Sequence, residues 1–335
     1  MGYKVVNESI NSIFEKLSKS YTIYAPKVFV GDGTFSDTDV IRYGEVSKIE
    51  EIVFDKKSDY SFKEVILPIT QRLFYFTEDE ITVPKAPEKG NIVFLRSCDL
   101  HALKRIDQIY LNNGPEDFYY KRLRENTKFI LMGCTETFDN CFCVDMGSNK
   151  SDNYDAYIKT EDGFTTIDCN WNELEQLIKE ERFKEEEVTP DYVTDNKVNV
   201  NIPEGLSTKV FNSKIWDEYS ERCIACGRCN FVCPTCTCFT MQDIFYRDNG
   251  NVGERRRVWA SCMVPGYTDM AGNISFRKAN GDKMRFKVMH KVYDYKKRFG
   301  YHMCVGCGRC DDVCPEYISF SNCINKLEKA VKEVE

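Results

Sequence analysis

Residues 222–238 read RCIACGRCNFVCPTCTC, with six cysteines (Cys223, Cys226, Cys229, Cys233, Cys236 and Cys238) inside sixteen residues. The first four, with the proline after them, follow C-x2-C-x2-C-x3-C-P. The same spacing returns at Cys304, Cys307, Cys310 and Cys314, again followed by proline, and the words CIACGRC and CVGCGRC differ at only two positions. Three thiolates set two residues apart let a tight loop wrap one corner of a cubane, its backbone N–H groups facing the sulfurs. Gly227, Gly306 and Gly308 relieve the crowding this creates. The fourth cysteine lies too far along the chain to close comfortably on the same cluster, and in two-cluster ferredoxins it ligates the other one. The spacing therefore predicts one [4Fe–4S] cluster on Cys223, Cys226, Cys229 and Cys314, and a second on Cys304, Cys307, Cys310 and Cys233. Zinc motifs generally use paired C-x2-C or Cys/His sets instead of a triple followed by Cys-Pro. Cys236 and Cys238 are left over, and they read as small packing residues beside the clusters.

The rest of the composition agrees with a metalloprotein. The chain has 335 residues, enough for about two domains each with its own core. Its 17 cysteines are an odd number in a chain that is neither small nor visibly secreted, which argues for thiol ligands over a disulfide framework. No run of eighteen apolar residues suggests a membrane span, and MGYKVVNESINSIF lacks the apolar core of a signal peptide. The default expectation is a cytoplasmic protein.

Charge is partitioned along the chain. Residues 151–220 hold 17 Asp/Glu against 7 Lys/Arg, whereas residues 251–300 hold 4 against 12. The basic stretch lies in the insert of 71 positions that separates Cys233 from Cys304. Nucleic-acid binding is one use of such charge, but no recognised nucleic-acid motif accompanies it. The others are neutralising dianionic clusters or docking an acidic partner.

Hydrophobic periodicity supplies the remaining elements. Val6, Ile10, Ile13, Phe14 and Leu17 predict a helix over 1–20, and the runs TIYAPKVFV, KEVILPI and LFYF read as short strands. Ile92–Leu95 is a doubly buried strand, followed by a helix that Asp99 could cap, and then by a second strand at Phe129–Met132. Strand, helix, strand implies a βαβ unit on a parallel sheet. The acidic segment 171–197 starts as a helix that Pro190 ends, and the last residues form a short amphipathic helix. The fold expected is mixed, α+β or α/β. An N-terminal α/β domain over 1–213 precedes a C-terminal helical, ferredoxin-like dicluster domain over 214–335, which carries the basic insert 251–300.

A third site is suggested within the first domain. Cys98 and Cys134 each lie just past the carboxyl end of a predicted parallel strand, where open α/β sheets hold ligands. Cys98 also precedes a helix whose dipole favours anionic thiolates. Cys141 and Cys143 follow Cys134 in one loop. The four could be a metal site (a cluster or a four-thiolate zinc) or four small buried hydrophobes. His101, His290 and His302 lack ligand-like spacing and read as structural. No G-x-G-x-x-G or G-x-x-x-x-G-K-[ST] motif is present, and neither a nucleophile elbow nor a zinc-protease motif occurs. Clusters without an organic cofactor site suggest a conduit, with no catalytic residue on this chain.

In order, RSCDLHAL, GCTETFDNCFCVDMG, CIACGRCNFVCPTCTCF, RRRVWASCM and CVGCGRCDDVCP resemble the iron–sulfur electron-transfer subunit of anaerobic sulfite reductases. The same series is similar to the β subunit of cytosolic sulfhydrogenases. The words FSDTDVIRYGE and LPITQRLFYFTED look closer to the sulfite reductase chain. That resemblance implies a relay within a three-subunit enzyme. A flavin subunit would take electrons from NADH, and a sirohaem subunit would reduce sulfite to sulfide. The sulfhydrogenase alternative implies a nickel–iron partner instead. The resemblance also implies that Cys98, Cys134, Cys141 and Cys143 hold a third cluster, with Asp99 a minor candidate ligand.

Overall fold

A computed structural model describes the chain apart from residues 1, 36, 247–249 and 273. In chain order the strands are β1 (Gly2–Val6), β2 (Tyr21–Phe29), β3 (Val40–Glu45), β4 (Thr70–Phe76), β5 (Ile81–Thr82), β6 (Gly90–Leu95), β7 (Thr127–Met132), β8 (Ala156–Glu161), β9 (Phe164–Cys169), β10 (Phe183–Glu185), β11 (Phe239–Phe245) and β12 (Gly253–Trp259). The helices of the first half are α1 (Asn7–Leu17), α2 (Lys63–Ile66), α3 (Ser97–Tyr110), α4 (Phe118–Glu125) and α5 (Asn172–Glu180). Those of the second half are α6 (Asp217–Arg222), α7 (Arg228–Phe231), α8 (Asn280–Met289), α9 (Tyr295–Phe299), α10 (Arg309–Asp312), α11 (Phe320–Asn325) and α12 (Leu327–Val334).

The first half is built on an eight-stranded sheet ordered β10-β1-β9-β8-β7-β6-β2-β3. Its centre, β2, β6, β7 and β8, is parallel, and both flanks are antiparallel. The continuous apolar runs in β6 and β7 are explained by burial on both faces. Ile92, Phe94, Ile130 and Met132 join the core under α1 and α5. Val93, Leu95, Phe129 and Leu131 join the core under α3 and α4. The expected βαβ unit is present, with β6 and β7 parallel and Ile92 opposite Lys128.

Two local expectations give way to tertiary pairing. The amphipathic stretch at the N-terminus is a strand and then a helix, because residues 2–6 pair with both β9 and β10. KEVI, read as a strand, is the single helical turn α2. Its four residues give no period by which sequence could separate the two states.

The second half is a set of short helices around the cysteine loops, with a core that draws in Phe142 and Met146 from the first half. The halves also share a sheet: β4 pairs with β12 inside a four-stranded sheet ordered β11-β12-β4-β5. Helix α8 runs into a π-helical turn, His290–Asp294, and then α9. The Lys291 carbonyl, in that turn, accepts from the amides of Met303 (2.9 Å) and Cys304 (3.3 Å). The start of the second cysteine loop is thereby tied to the basic helix.

Candidate metal centres

Both cysteine loops depend on left-handed backbone. In the first, Ala225 has φ 57° and Gly227 φ 78°; in the second, Gly306 has φ 65° and Gly308 φ 71°. This curl turns amides inward: Ala225 N–H donates to Cys223 Sγ (3.4 Å) and Gly306 N–H to Cys304 Sγ (3.5 Å). Each loop then enters a one-turn helix, α7 or α10, that carries its third cysteine.

The structure gathers Cys223, Cys226, Cys229 and Cys314 around one pocket, together with Lys287, Met263 and Met284, and Cys310 of the second loop also reaches its wall. The Cys223 thiol is pushed up by burial and further raised by the fields of Cys229, Cys226 and Cys314. Cys233 has left this group for the other quartet. Cys304, pushed up to about 12 by burial, feels Cys233 and Cys307, and buried Cys310 likewise feels Cys307 and Cys233. Each loop thus sends its fourth cysteine towards the other.

Lys287 and Lys291 stand among these sulfurs. Each is 3% exposed, and neither forms an ion pair with a carboxylate among the described residues. Lys287 faces Cys229 of the first quartet and Cys310 of the second; Lys291 faces Cys233 and Cys304 and donates to Thr235 Oγ1 at 2.7 Å. Both ammonium groups are held above the usual lysine range by these sulfurs, against burial, which acts the other way. Sequence reasoning named the basic insert but not these residues. The legible signal was Lys287 and Lys291 at i, i+4 with Met284 and Val288 between and beside them, a cationic stripe on an apolar helical face.

The three consecutive arginines of the insert have ordinary partners. Arg255 pairs with Asp243, Arg256 with Glu254 and Arg257 with Asp117. These pairs spend charge within the fold.

Cys98, Cys134, Cys141 and Cys143 also come together, lining one pocket with Lys57, Arg96 and Arg309. Cys98 stands on the first turn of α3, directly after β6, and Cys134 follows β7. Burial pushes Cys98 well up, Cys141 to about 11 and Cys143 to about 12. Cationic donors are close: Arg96 NH1 lies 3.5 Å from Cys134 Sγ, and Lys57 Nζ 3.8 Å from Cys141 Sγ. Asp99 neither caps α3, which begins at Ser97, nor faces this pocket. Its carboxylate is fully buried and takes both guanidinium nitrogens of Arg309, at 2.8 and 3.0 Å. The histidines have structural partners: His101 Nε2 meets Lys150 O, His302 Nδ1 meets Val292 O, and His290 stacks on Phe286.

This third group lies against the second quartet. Phe142 N–H donates to Gly306 O (2.8 Å), and Cys141 Sγ lies 3.4 Å from Cys307 O. A Cβ on Gly306 would fall 2.5 Å from the Phe142 carbonyl, and one on Gly308 2.4 Å from Asn140 O. The corresponding position of the first loop, Ala225, has no such neighbour to exclude its methyl. The difference between CIACGRC and CVGCGRC is therefore a packing difference.

Among the described residues no group of three or more His, Cys, Asp or Glu is drawn tightly enough to hold a single ion.

Residues 222–318 match the family described as 4Fe-4S dicluster domain. The whole chain is similar to sulfhydrogenase 2 subunit beta of Pyrococcus furiosus, at 27% identity over 343 residues, covering 98% of each chain. No solved structure matches. No helix among the described residues is long and apolar enough to cross a membrane. These findings establish an iron–sulfur chain of the electron-transfer kind. On its wider identity they favour the sulfhydrogenase side of the resemblance over the sulfite reductase side, for which only the two N-terminal words speak.

Proposed function

We propose that this chain is the iron–sulfur relay subunit of a multisubunit oxidoreductase of the sulfhydrogenase β kind. It would hold one [4Fe–4S] cluster on Cys223, Cys226, Cys229 and Cys314 and a second on Cys304, Cys307, Cys310 and Cys233. A third would sit on Cys98, Cys134, Cys141 and Cys143. The observation that carries this reading is the pair of buried ammonium groups, Lys287 and Lys291, whose anionic neighbours are sulfurs. An uncompensated buried charge costs several kcal/mol, and a four-thiolate [4Fe–4S]²⁺ core, a dianion, supplies the missing counter-charge. When bound, each cluster accepts and releases one electron at a time.

The order along the relay follows from the contacts. The third group abuts the second quartet through Cys307, and the second faces the first across Lys287. The first opens outward, with Cys226 exposed and Ile224, in the same loop, 58% exposed. Electrons would enter or leave there, exchanged with a partner subunit. The partners proposed are a flavin subunit fed by a nicotinamide cofactor and a catalytic nickel–iron subunit.

Affinity purification under anaerobic conditions, followed by metal analysis, tests the reading. Eight Fe per chain is about what the two-cluster core requires, and about twelve includes the third site; clearly fewer than eight overturns the core. Nickel in the co-purifying complex supports the sulfhydrogenase kind. A sirohaem absorption band in place of nickel replaces it with the sulfite reductase kind, which the words FSDTDVIRYGE and LPITQRLFYFTED favour.

A further inference from the structure

The two cysteine motifs end in the same turn. Cys236 N–H donates to Cys233 O (3.4 Å), and Tyr317 N–H donates to Cys314 O (3.1 Å). Each is a four-residue turn with proline in second place, where its fixed φ suits the chain reversal. The third place differs: it holds Thr235 after Pro234, and Glu316 after Pro315. Glu316 is exposed, whereas Thr235 is 1% exposed. A hydroxyl at that depth costs free energy unless it is hydrogen-bonded.

Thr235 meets that demand on two sides. Lys291 Nζ donates to its Oγ1 at 2.7 Å, and Cys233 Sγ lies 3.4 Å from the same oxygen. An ammonium can only donate, so the hydroxyl accepts from Lys291 and keeps its own proton to give. A sulfur that ligates iron is a thiolate with no proton to offer. Thr235 then donates to Cys233, in a chain N–H···O–H···S whose first bond polarises the second. The Cys314 sulfur accepts instead from the Ile318 amide, at 3.3 Å.

Lys291 is held in place by the second loop. Its carbonyl takes the Cys304 amide at 3.3 Å, while its side chain reaches Thr235 beside Cys233. One residue thereby contacts both ends of the second quartet. The Cys233 turn is also held from the first half of the chain. Lys63 Nζ donates to Cys236 O at 2.9 Å and stands 4.0 Å from the centre of the Trp259 ring.

We propose that Thr235 is a positioning residue that raises the reduction potential of the second cluster through its hydrogen bond to Cys233, with Lys291 orienting the hydroxyl. The proposal rests on Cys233 ligating that cluster. A hydrogen bond to a ligand sulfur draws charge from it and so favours the reduced, more negative state. The first cluster has an exposed glutamate at the equivalent position, so this contact biases an electron shared by the two towards the second.

The test uses the full chain, purified anaerobically with its clusters, titrated potentiometrically and followed by electron paramagnetic resonance. Cys314→Ser identifies the signal of the first cluster by its loss. Thr235→Val matches the side chain's outline without the hydroxyl, and it should lower the second midpoint while the first stays. Thr235→Ser should restore the midpoint. After transfer to D2O, a deuteron coupled to the second centre should be seen in the unaltered chain and in Thr235→Ser, and weaken in Thr235→Val. If valine loosens the fold, Thr235→Ala gives the same reading. A midpoint unchanged in the valine and alanine variants overturns the proposal, as does a loss that serine fails to restore. A shift confined to the first cluster also overturns it, by placing Cys233 there. Iron is measured on the same samples: clearly fewer than about eight Fe in the unaltered chain is failure of the relay itself. A full complement with an unmoved midpoint is failure of the Thr235 proposal alone.

Discussion

At the residue scale, the Ala225/Gly306 methyl group sets the packing of the two cysteine loops apart. Ala225 and Gly306 occupy equivalent positions with left-handed backbone, at φ 57° and 65°, but only Gly306 has a carbonyl 2.5 Å from where a Cβ would stand. Gly306→Ala meets both the left-handed penalty, about 1–2 kcal/mol, and a backbone clash; Ala225→Gly removes strain and adds chain entropy, a change within about 1 kcal/mol. Thermal melting should show a much larger loss for Gly306→Ala, and equal effects would refute the stacking argument. Cross-ligation has its own residue-level consequence. Cys314→Ser should damage the cluster on Cys223, Cys226 and Cys229 while the other persists, as read by resonance spectra of the two centres; damage confined to the Cys304 cluster would reverse the assignment. Cys238 is held down to about 6, chiefly by its hydrogen bond with Cys262 and also by Tyr267 and Lys291, with Lys63 facing the same group. Because a thiolate is the nucleophile, iodoacetamide labelling of Cys238 should rise as pH passes about 6. A midpoint near the ordinary thiol value of about 8.5 would rule this out.

The element that matters most is the basic helix α8 with its π turn. It carries Lys287 and Lys291 into the space between the quartets, and the Lys291 carbonyl anchors the Cys304 amide. A cation beside a cluster stabilises the reduced, more negative state, so Lys287→Met and Lys291→Met should each lower a reduction potential. With an effective dielectric constant near 20 and a separation of roughly 6 Å, the effect is on the order of 100 mV. Potentiometric titration followed by resonance spectroscopy measures it, and unchanged potentials would remove the lysines from any role in tuning.

On the scale of the whole molecule, the two halves are joined through polar contacts as well as apolar core. The Asp99–Arg309 pair is buried on both sides, with Arg309 also donating to Ser58 O at 3.0 Å. Arg309→Met leaves Asp99 uncompensated and should cost about 3–5 kcal/mol. Adding Asp99→Asn should recover much of that loss in urea unfolding, and failure of the double variant to recover would mean the pair is not the source. This joint also holds the Cys98 group close to the second cysteine loop, bringing two separate sequence features together.

Much of this was legible beforehand. The left-handed loops around Cys223–Cys229 and Cys304–Cys310 follow from the spacing and the glycines in it, and the exchange of Cys233 and Cys314 is the ligand set we propose from that spacing. The parallel pair β6 and β7 was visible because strands buried on both faces leave continuous apolar runs. What sequence could not reveal depends on residues far apart in the chain. Residues 2–6 look helical until β9 and β10 pair with them. Asp99, placed by sequence as a cap of α3, is instead the buried partner of an arginine 210 positions away. Lys287 and Lys291 look like any exposed basic stripe until the fold encloses them. Local spacing determined the shape of the two cysteine loops because loop geometry acts over a few bonds. Burial and long-range pairing decided charge, contact and reactivity, because those belong to the packed chain.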